Sequence, residues 1–255
     1  YLHFNLGDER SWTAILDYNP DYIINCVGYG VVKIENDVNE IFQINYSKTA
    51  DFYNFVFKSI DPFIIHVGTA FEYDLTTVDL TEHSPNLPRT FYGISKFMCS
   101  KFLQDKFSTH RFTILRPFSM FGPYEHATKI IPALILAQKQ GIKIQLSSGE
   151  QKRDYFFVKD FVNFLNRILQ SNAEIPKLIN VGSGQSRSIR DIASLIKDNL
   201  PEYNDELWSW NSLNQRHGEA DEFRNGSDLC FQLGFTNSSF NDSIRTTINY
   251  YWNEL

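Results

Sequence analysis

The sequence predicts an α/β fold, a doubly wound parallel sheet with a smaller α+β C-terminal part. Three observations predict it. Short β-rich apolar runs alternate with longer stretches of helical period, the pattern of a parallel sheet covered by helices. The runs YIINCV (22–27), FIIHV (63–67) and FTIL (112–115) are bounded by Pro, Asp or Gly, as buried strands are. Beyond residue 200 the alternation weakens into a tract rich in Asn, Asp and Trp, which marks a less regular second part.

Taken in order, a short helix is expected over 11–18, with the cap-type pair Gly7-Asp8 before it. The three strands follow, separated by helices at about 40–58 and 91–107. Helices are then expected over 130–140 and 161–169, the second capped by Asp160. Residues 178–181 read as a strand ending in Gly182-Ser183-Gly184, and Ser188 caps a helix running to about Asn199. Residues 200–237 read as loops with short strands, and a helix over 238–253 closes the chain. No internal repeat interrupts this order.

Composition removes several function classes. At 255 residues and 42% apolar content the chain can bury a sizeable core. A net charge of −6 argues against a reader of nucleic-acid backbones, which needs clustered Lys and Arg. No apolar run approaches the roughly 18 residues needed to span a bilayer. Cys26, Cys99 and Cys230 are far apart and outside metal-ligand spacing, so they read as reduced core thiols of a cytoplasmic protein, with no metal. The chain opens on Tyr1 rather than Met, which leads us to expect an upstream segment.

The sharpest chemical feature is Tyr92 and Lys96 in the run YGISK on a predicted helix, with Thr69 at a strand end. Residues four apart share a helix face, so the ammonium can sit beside the phenol and favour its ionised form. A phenol brought down from its usual value near 10 toward neutrality serves as proton donor or acceptor between a hydroxyl and a ketone. A Tyr and a Lys so spaced arise often on exposed faces, and the pair alone carries little. Its neighbours change that. In chain order come Asp8 before a helix, a strand ending Val27-Gly28, Asn45 within a helix, Thr69, Tyr92, Lys96, the run RPFSMFGP (116–123), RDYFFVKD (153–160), NVGSG (180–184) and RHGE (216–219).

This series resembles the extended short-chain dehydrogenase/reductase family, in particular its nucleotide-sugar epimerases, dehydratases and 4-keto-reductases. The resemblance covers essentially the whole chain and implies a Rossmann-like sheet that here lacks its first strands. It implies that Thr69, Tyr92 and Lys96 do the chemistry, with NAD or NADP as cofactor. Asp8, Val27, Gly28, Asn45, Tyr92, Lys96, Pro117 and Phe118 would lie along that cofactor. Thr69, Ser119, Arg153 and Arg216 would meet a nucleotide-diphosphate sugar. Bidentate contact with phosphate suits Arg153 and Arg216 chemically as well, while pairing of Arg153 with Asp154 or Asp160 stays open as the alternative. Residues 1–118, with 155–183 returning to them, would form a truncated dinucleotide-binding domain; 119–154 and 184–255 would form the sugar-nucleotide-binding part.

Departures from the family pattern sharpen the expectation. Ser119 stands where the family usually carries Asn, so the substrate contact there is in question. Family dehydratases follow the catalytic Thr with Asp and Glu; this chain has Ala70 and Phe71. Reduction of a 4-keto-6-deoxy sugar nucleotide, with Tyr92 as proton donor, or 4-epimerisation then remains. Glu125 and His126 could act as extra acid/base groups but read as ordinary polar residues at a helix start. The Gly-rich loop that should hold the pyrophosphate is not found before Asp8, and Gly28-Tyr-Gly30 does not replace it. We expect it in an upstream segment of roughly 50 residues; a shortened, non-catalytic sugar-nucleotide-binding protein is the alternative. Finally, the helices at 40–58 and 91–107 are apolar over more than one face, which predicts a homodimer through a four-helix bundle.

Overall fold

The structure is a computed structural model that describes residues 5–32, 34–214 and 220–254. Along the chain lie strands β1 (Tyr22–Asn25), β2 (Phe63–Val67), β3 (Asp79–Leu80), β4 (Phe112–Pro117), β5 (Ser119–Phe121), β6 (Ile144–Gln145), β7 (Lys152–Phe157), β8 (Leu178–Val181), β9 (Ser186–Ser188), β10 (Trp208–Ser209) and β11 (Glu222–Asn225). The helices are α1 (Thr13–Tyr18), α2 (Val38–Phe42), α3 (Lys48–Ser59), α4 (Phe91–Lys106), α5 (Ile130–Gln140), α6 (Val158–Gln170), α7 (Ile189–Asn199), α8 (Leu229–Gln232) and α9 (Phe240–Asn249).

The chain parts into two compact units, the first comprising residues 1–74, 82–117 and 171–180, the second 75–81, 118–170 and 181–255. By this division residues 75–81, 118, 155–170 and 181–183 fall in the second unit, and 171–180 in the first.

In the first unit, β1, β2, β4 and β8 form a sheet in that order, with β1–β2 and β2–β4 parallel. β2 and β4 are buried along nearly their whole length, as central parallel strands covered on both faces must be. Trp12, Phe52, Tyr53, Val56, Ile64, Leu103, Phe112 and Ile114 form the core between this sheet and α1, α3 and α4. The helix expected over 40–58 is real but not uniform: α2 passes through a π-helical turn, Gln43–Ser47, before α3 begins. Cys99 is buried as expected, but Cys26, just past β1, is exposed rather than a core thiol.

In the second unit, β3, β11, β7 and β5 form a parallel sheet, with β9 antiparallel to β7. Its core gathers Phe121, Leu134, Ile135, Phe157, Ile192, Ile196, Trp208 and Ile244. Ser188 caps α7 through a reciprocal capping box with Asp191, which is why that helix starts where the sequence predicts. Asp160 does not cap a helix. α6 starts at Val158, and the buried Asp160 carboxylate accepts hydrogen bonds from the Ser238 N–H and hydroxyl.

Candidate active site

The chemistry-bearing residues of the first unit converge at the carboxyl ends of its parallel strands, where α/β sheets place ligands. β2 delivers Thr69, which caps a 3₁₀ turn, Ala70–Glu72. Its hydroxyl accepts from the Phe71 N–H at 3.3 Å, while its own N–H donates to Glu72 Oε1 at 3.0 Å. α4 opens at Thr90, whose hydroxyl accepts from the Gly93 N–H, and carries Tyr92 and Lys96 on one face. The turn and the helix touch at Gly93, where a Cβ would stand 2.4 Å from the Phe71 carbonyl oxygen. The Thr69 side chain acts on the Tyr92 phenol across this approach, drawing its pKa down.

Electrostatics here differ from the sequence expectation. The Tyr92 phenol is not drawn toward neutrality but pushed up to about 12, first by burial and then by the Glu72 charge, with the Thr69 side chain pulling the other way. Lys96 is fully buried and donates through Nζ to the Val27 carbonyl at 3.1 Å; burial pushes its own pKa down. One N–H of the ammonium is thus directed at the loop that follows β1.

Asn45 sits in the π-helical turn and is 1% exposed. Its amide ties three elements together: Oδ1 accepts from the Tyr29 N–H at 2.8 Å, and Nδ2 donates to the Tyr29 carbonyl and to Ser95 Oγ. The extra residue of a π turn is what aims a side chain off the helical register. Asn45 thus fixes the loop that follows Val27 and Gly28. A Cβ on Gly28 would meet nothing within 4 Å, and Val27 is exposed. An open main-chain ledge at a strand end, with the Lys96 ammonium beside it, fits a cofactor lying across this loop; Pro117 ends β4, buried. Asp8 lies on the surface, capping a 3₁₀ turn through the Arg10 N–H.

Sequence reading missed Glu72, Arg116 and Ser95. Glu72 and Arg116 form a buried ion pair, Arg116 Nη2 to Glu72 Oε2 at 2.7 Å and Nε to the same oxygen at 2.9 Å. The guanidinium lies 4.4 Å from the centre of the Tyr73 ring.

The remaining candidates lie in the second unit. Phe118 is buried with its ring 6.1 Å from that of Phe223, and Ser119 opens β5 half-buried. Arg153 is buried on β7, its guanidinium 4.8 Å from the Phe223 ring centre and its Nη1 donating to the carbonyls of Lys152 and Asp221. The neighbouring Asp154 accepts from the N–H groups of Ser183, Gly184 and Asn225. Arg216 lies outside the described residues. Glu125 is not an ordinary polar residue: its Oε2 is buried with no hydrogen-bond partner among the described residues, and burial pushes its carboxyl up to about 8. His126 is exposed, its Nδ1 2.8 Å from Thr128 Oγ1. Among the described residues no group of His, Cys, Asp or Glu could hold a metal, and no helix is long and apolar enough to cross a membrane.

The NAD dependent epimerase/dehydratase family matches residues 1–182, and the chain belongs to that family. It is 23% identical over 181 residues to a dTDP-D-glucose 4,6-dehydratase of Mus musculus, covering 68% of this chain and 50% of that protein. It is 30% identical over 112 residues to a CDP-abequose synthase of Salmonella typhimurium, covering 42% of this chain and 37% of that one. The chain thus matches half or less of the length of these relatives. In fold it is similar to the UDP-glucuronic acid 4-epimerase of Bacillus cereus solved with UDP-glucuronic acid and NAD, at a TM-score of 0.88 and 18% identity over 99% of this chain and 81% of that one.

Proposed function

We propose that the protein reduces a nucleotide-linked 4-keto-6-deoxy sugar, with Tyr92 as the proton donor. The observation that carries this reading is that Thr69, Tyr92 and Lys96 stand at the strand ends with Ala70 and Phe71, rather than an acid and a base, after the Thr. A reductase needs a donor at the carbonyl oxygen. A 4-epimerase must take a proton from a hydroxyl and return one, and it reuses its hydride. Dehydration asks for an acid and a base after the catalytic Thr, and Ala70 and Phe71 supply neither. The printed names of the relatives and of the fold neighbour, each a protein of nucleotide-linked sugars or their products, support the substrate class.

NAD or NADP, held along Val27, Gly28, Lys96, Pro117 and Phe118, with Asn45 fixing the loop, would supply the hydride. Thr69 hydrogen-bonds the substrate carbonyl oxygen, Tyr92 gives that oxygen its proton, and Lys96 orders the ledge and reaches the cofactor ribose. Ser119 faces the sugar in this reading, and Arg153 and Arg216 bind the diphosphate. Free thiols and a water-soluble substrate accord with a cytoplasmic enzyme.

Full-length protein given NADPH or NADH and such a substrate should oxidise the cofactor stoichiometrically. Equilibration of the C4 configuration without cofactor consumption would establish the epimerase instead, and binding with neither reaction would leave a non-catalytic sugar-nucleotide protein. Tyr92→Phe should lower kcat by about 10² to 10⁴-fold with substrate binding little changed.

A homodimer through the helical stretch at about 40–58 and α4 belongs to the same proposal. Phe91 is 55% exposed and its ring lies 6.3 Å from that of Phe42, while Phe97, Met98 and Phe102 are only half-buried. Phe102 also meets the rings of Tyr46 and Phe107 within the protomer, so Phe91→Glu is the cleaner probe. Light scattering should give a dimer mass that Phe91→Glu reduces; a monomer at micromolar concentration rejects it.

A further inference from the structure

The Glu72–Arg116 pair is the most thoroughly buried charge pair among the described residues, at 0% and 1% side-chain exposure. Its geometry is divided by atom. Oε2 of Glu72 takes both guanidinium nitrogens, Nε and Nη2. Oε1 is left for one donor, the N–H of Thr69. The carboxylate therefore links the backbone of Thr69 to β4, the strand that carries Arg116. The guanidinium is held in turn against Tyr73, whose hydroxyl donates to Asn180 Oδ1 at 2.7 Å at the end of β8. A second contact closes the arrangement from the other side: Asn86 Nδ2 donates to the Glu72 carbonyl at 3.2 Å.

Room for this carboxylate has been left in the chain. A Cβ at Gly68, the residue before Thr69, would stand 2.4 Å from Glu72 Oε1. On the far side of the same turn, Gly93 lets α4 approach the Phe71 carbonyl. The turn bearing Thr69 is clamped between the helix that carries Tyr92 and the strand that carries Arg116, and both clamps depend on a missing side chain. Stability alone is a poor account of such a pair, because desolvating two charges offsets most of their attraction. What the pair supplies that apolar side chains would not is a fixed direction for the Thr69 main chain.

We propose that the Glu72–Arg116 pair is a positioning device for Thr69, holding its hydroxyl on the Tyr92 phenol and thereby setting the rate of proton transfer. This rests on the reading of Tyr92 as the proton donor. The Glu72 charge has a further effect in the same place, since it helps keep the Tyr92 proton on.

The test uses full-length protein with its tyrosines replaced by 3-fluorotyrosine, the fluorine resonance lost in Tyr92→Phe being that of Tyr92. Two variants disturb the pair differently. Glu72→Met with Arg116→Met removes both charges and keeps the volume; Gly68→Ala displaces the carboxylate and removes neither. In the double variant the Tyr92 resonance should move and titrate at lower pH, because the Glu72 charge is gone; in Gly68→Ala it should move. In both, kcat should fall by up to about 10²-fold with KM steady, the signature of a misplaced reacting group. Folded variants with an unmoved Tyr92 resonance overturn the proposal, whatever their stability. If the wild type consumes no cofactor, the reductase reading fails on its own, and the resonance still decides whether the pair positions Thr69 on Tyr92.

Discussion

Two glutamates, each a few residues past a strand end, have opposite surroundings. Glu72, after β2 in the first unit, has one carboxylate oxygen on the Thr69 N–H and the other on Arg116. Glu125, after β5 in the second unit, has a buried oxygen with no hydrogen-bond partner among the described residues, and only Lys129 pulls its raised pKa back down. A carboxylate can leave water when a guanidinium and an N–H replace the lost hydration; otherwise it keeps a proton. The difference separates two uses of an acid. Glu72 acts as a fixed link in the catalytic turn, and Glu125 as a group whose protonation changes near neutral pH.

The largest effect in this comparison should come from Glu72→Ala. It strands Arg116, a guanidinium with 1% exposure, and deprives the Thr69 N–H of its acceptor. Removing one member of a buried pair typically costs about 3–5 kcal/mol. Urea unfolding should register a loss of that order, most of it recovered when Arg116 is also replaced by Met. A cost near zero would mean that the turn relaxes and lets water reach the guanidinium, and the contrast with Glu125 would then lose its basis.

Glu72 also marks where sequence reasoning stops. Ser188 and the strand FIIHV were legible because their signals are local: a capping box in one case, an unbroken apolar run in the other. The family was legible in the series from Asp8 to Arg216 because each member sits in a recognisable short run. The partner of Glu72 lies 44 residues away, and nothing near either residue distinguishes a buried pair from two surface charges. The π turn around Asn45 was hidden because the apolar pattern runs through it unchanged, although the turn is what sends the Asn45 amide to Tyr29 and Ser95. β7 was read as a motif rather than a strand: five of its six residues are buried, so it lacks the alternation that would have announced it. The downward shift expected of Tyr92 failed for a related reason. Spacing gives the distance between Tyr92 and Lys96 along the helix but not the Val27 carbonyl that accepts from the ammonium.

The smallest expected effect is also the one with a definite sign in pH. An unfolded glutamate titrates near 4.3, and burial pushes Glu125 up to about 8 in the folded chain. Between those values the folded state binds more protons than the unfolded state, so stability falls as pH rises and the contribution of the protonated carboxyl is lost through about pH 8. Glu125→Gln keeps the shape of the protonated acid and cannot ionise. The urea midpoint of this variant should match wild type near pH 5 and exceed it near pH 9, since only the wild type must then bury a charge. The Glu125 main chain is a second matter, because its carbonyl accepts from the Tyr251 hydroxyl and the substitution leaves that bond in place. A wild-type midpoint that does not decline across this range relative to Glu125→Gln would place the Glu125 carboxylate in water, and the two glutamates would then differ only in their partners.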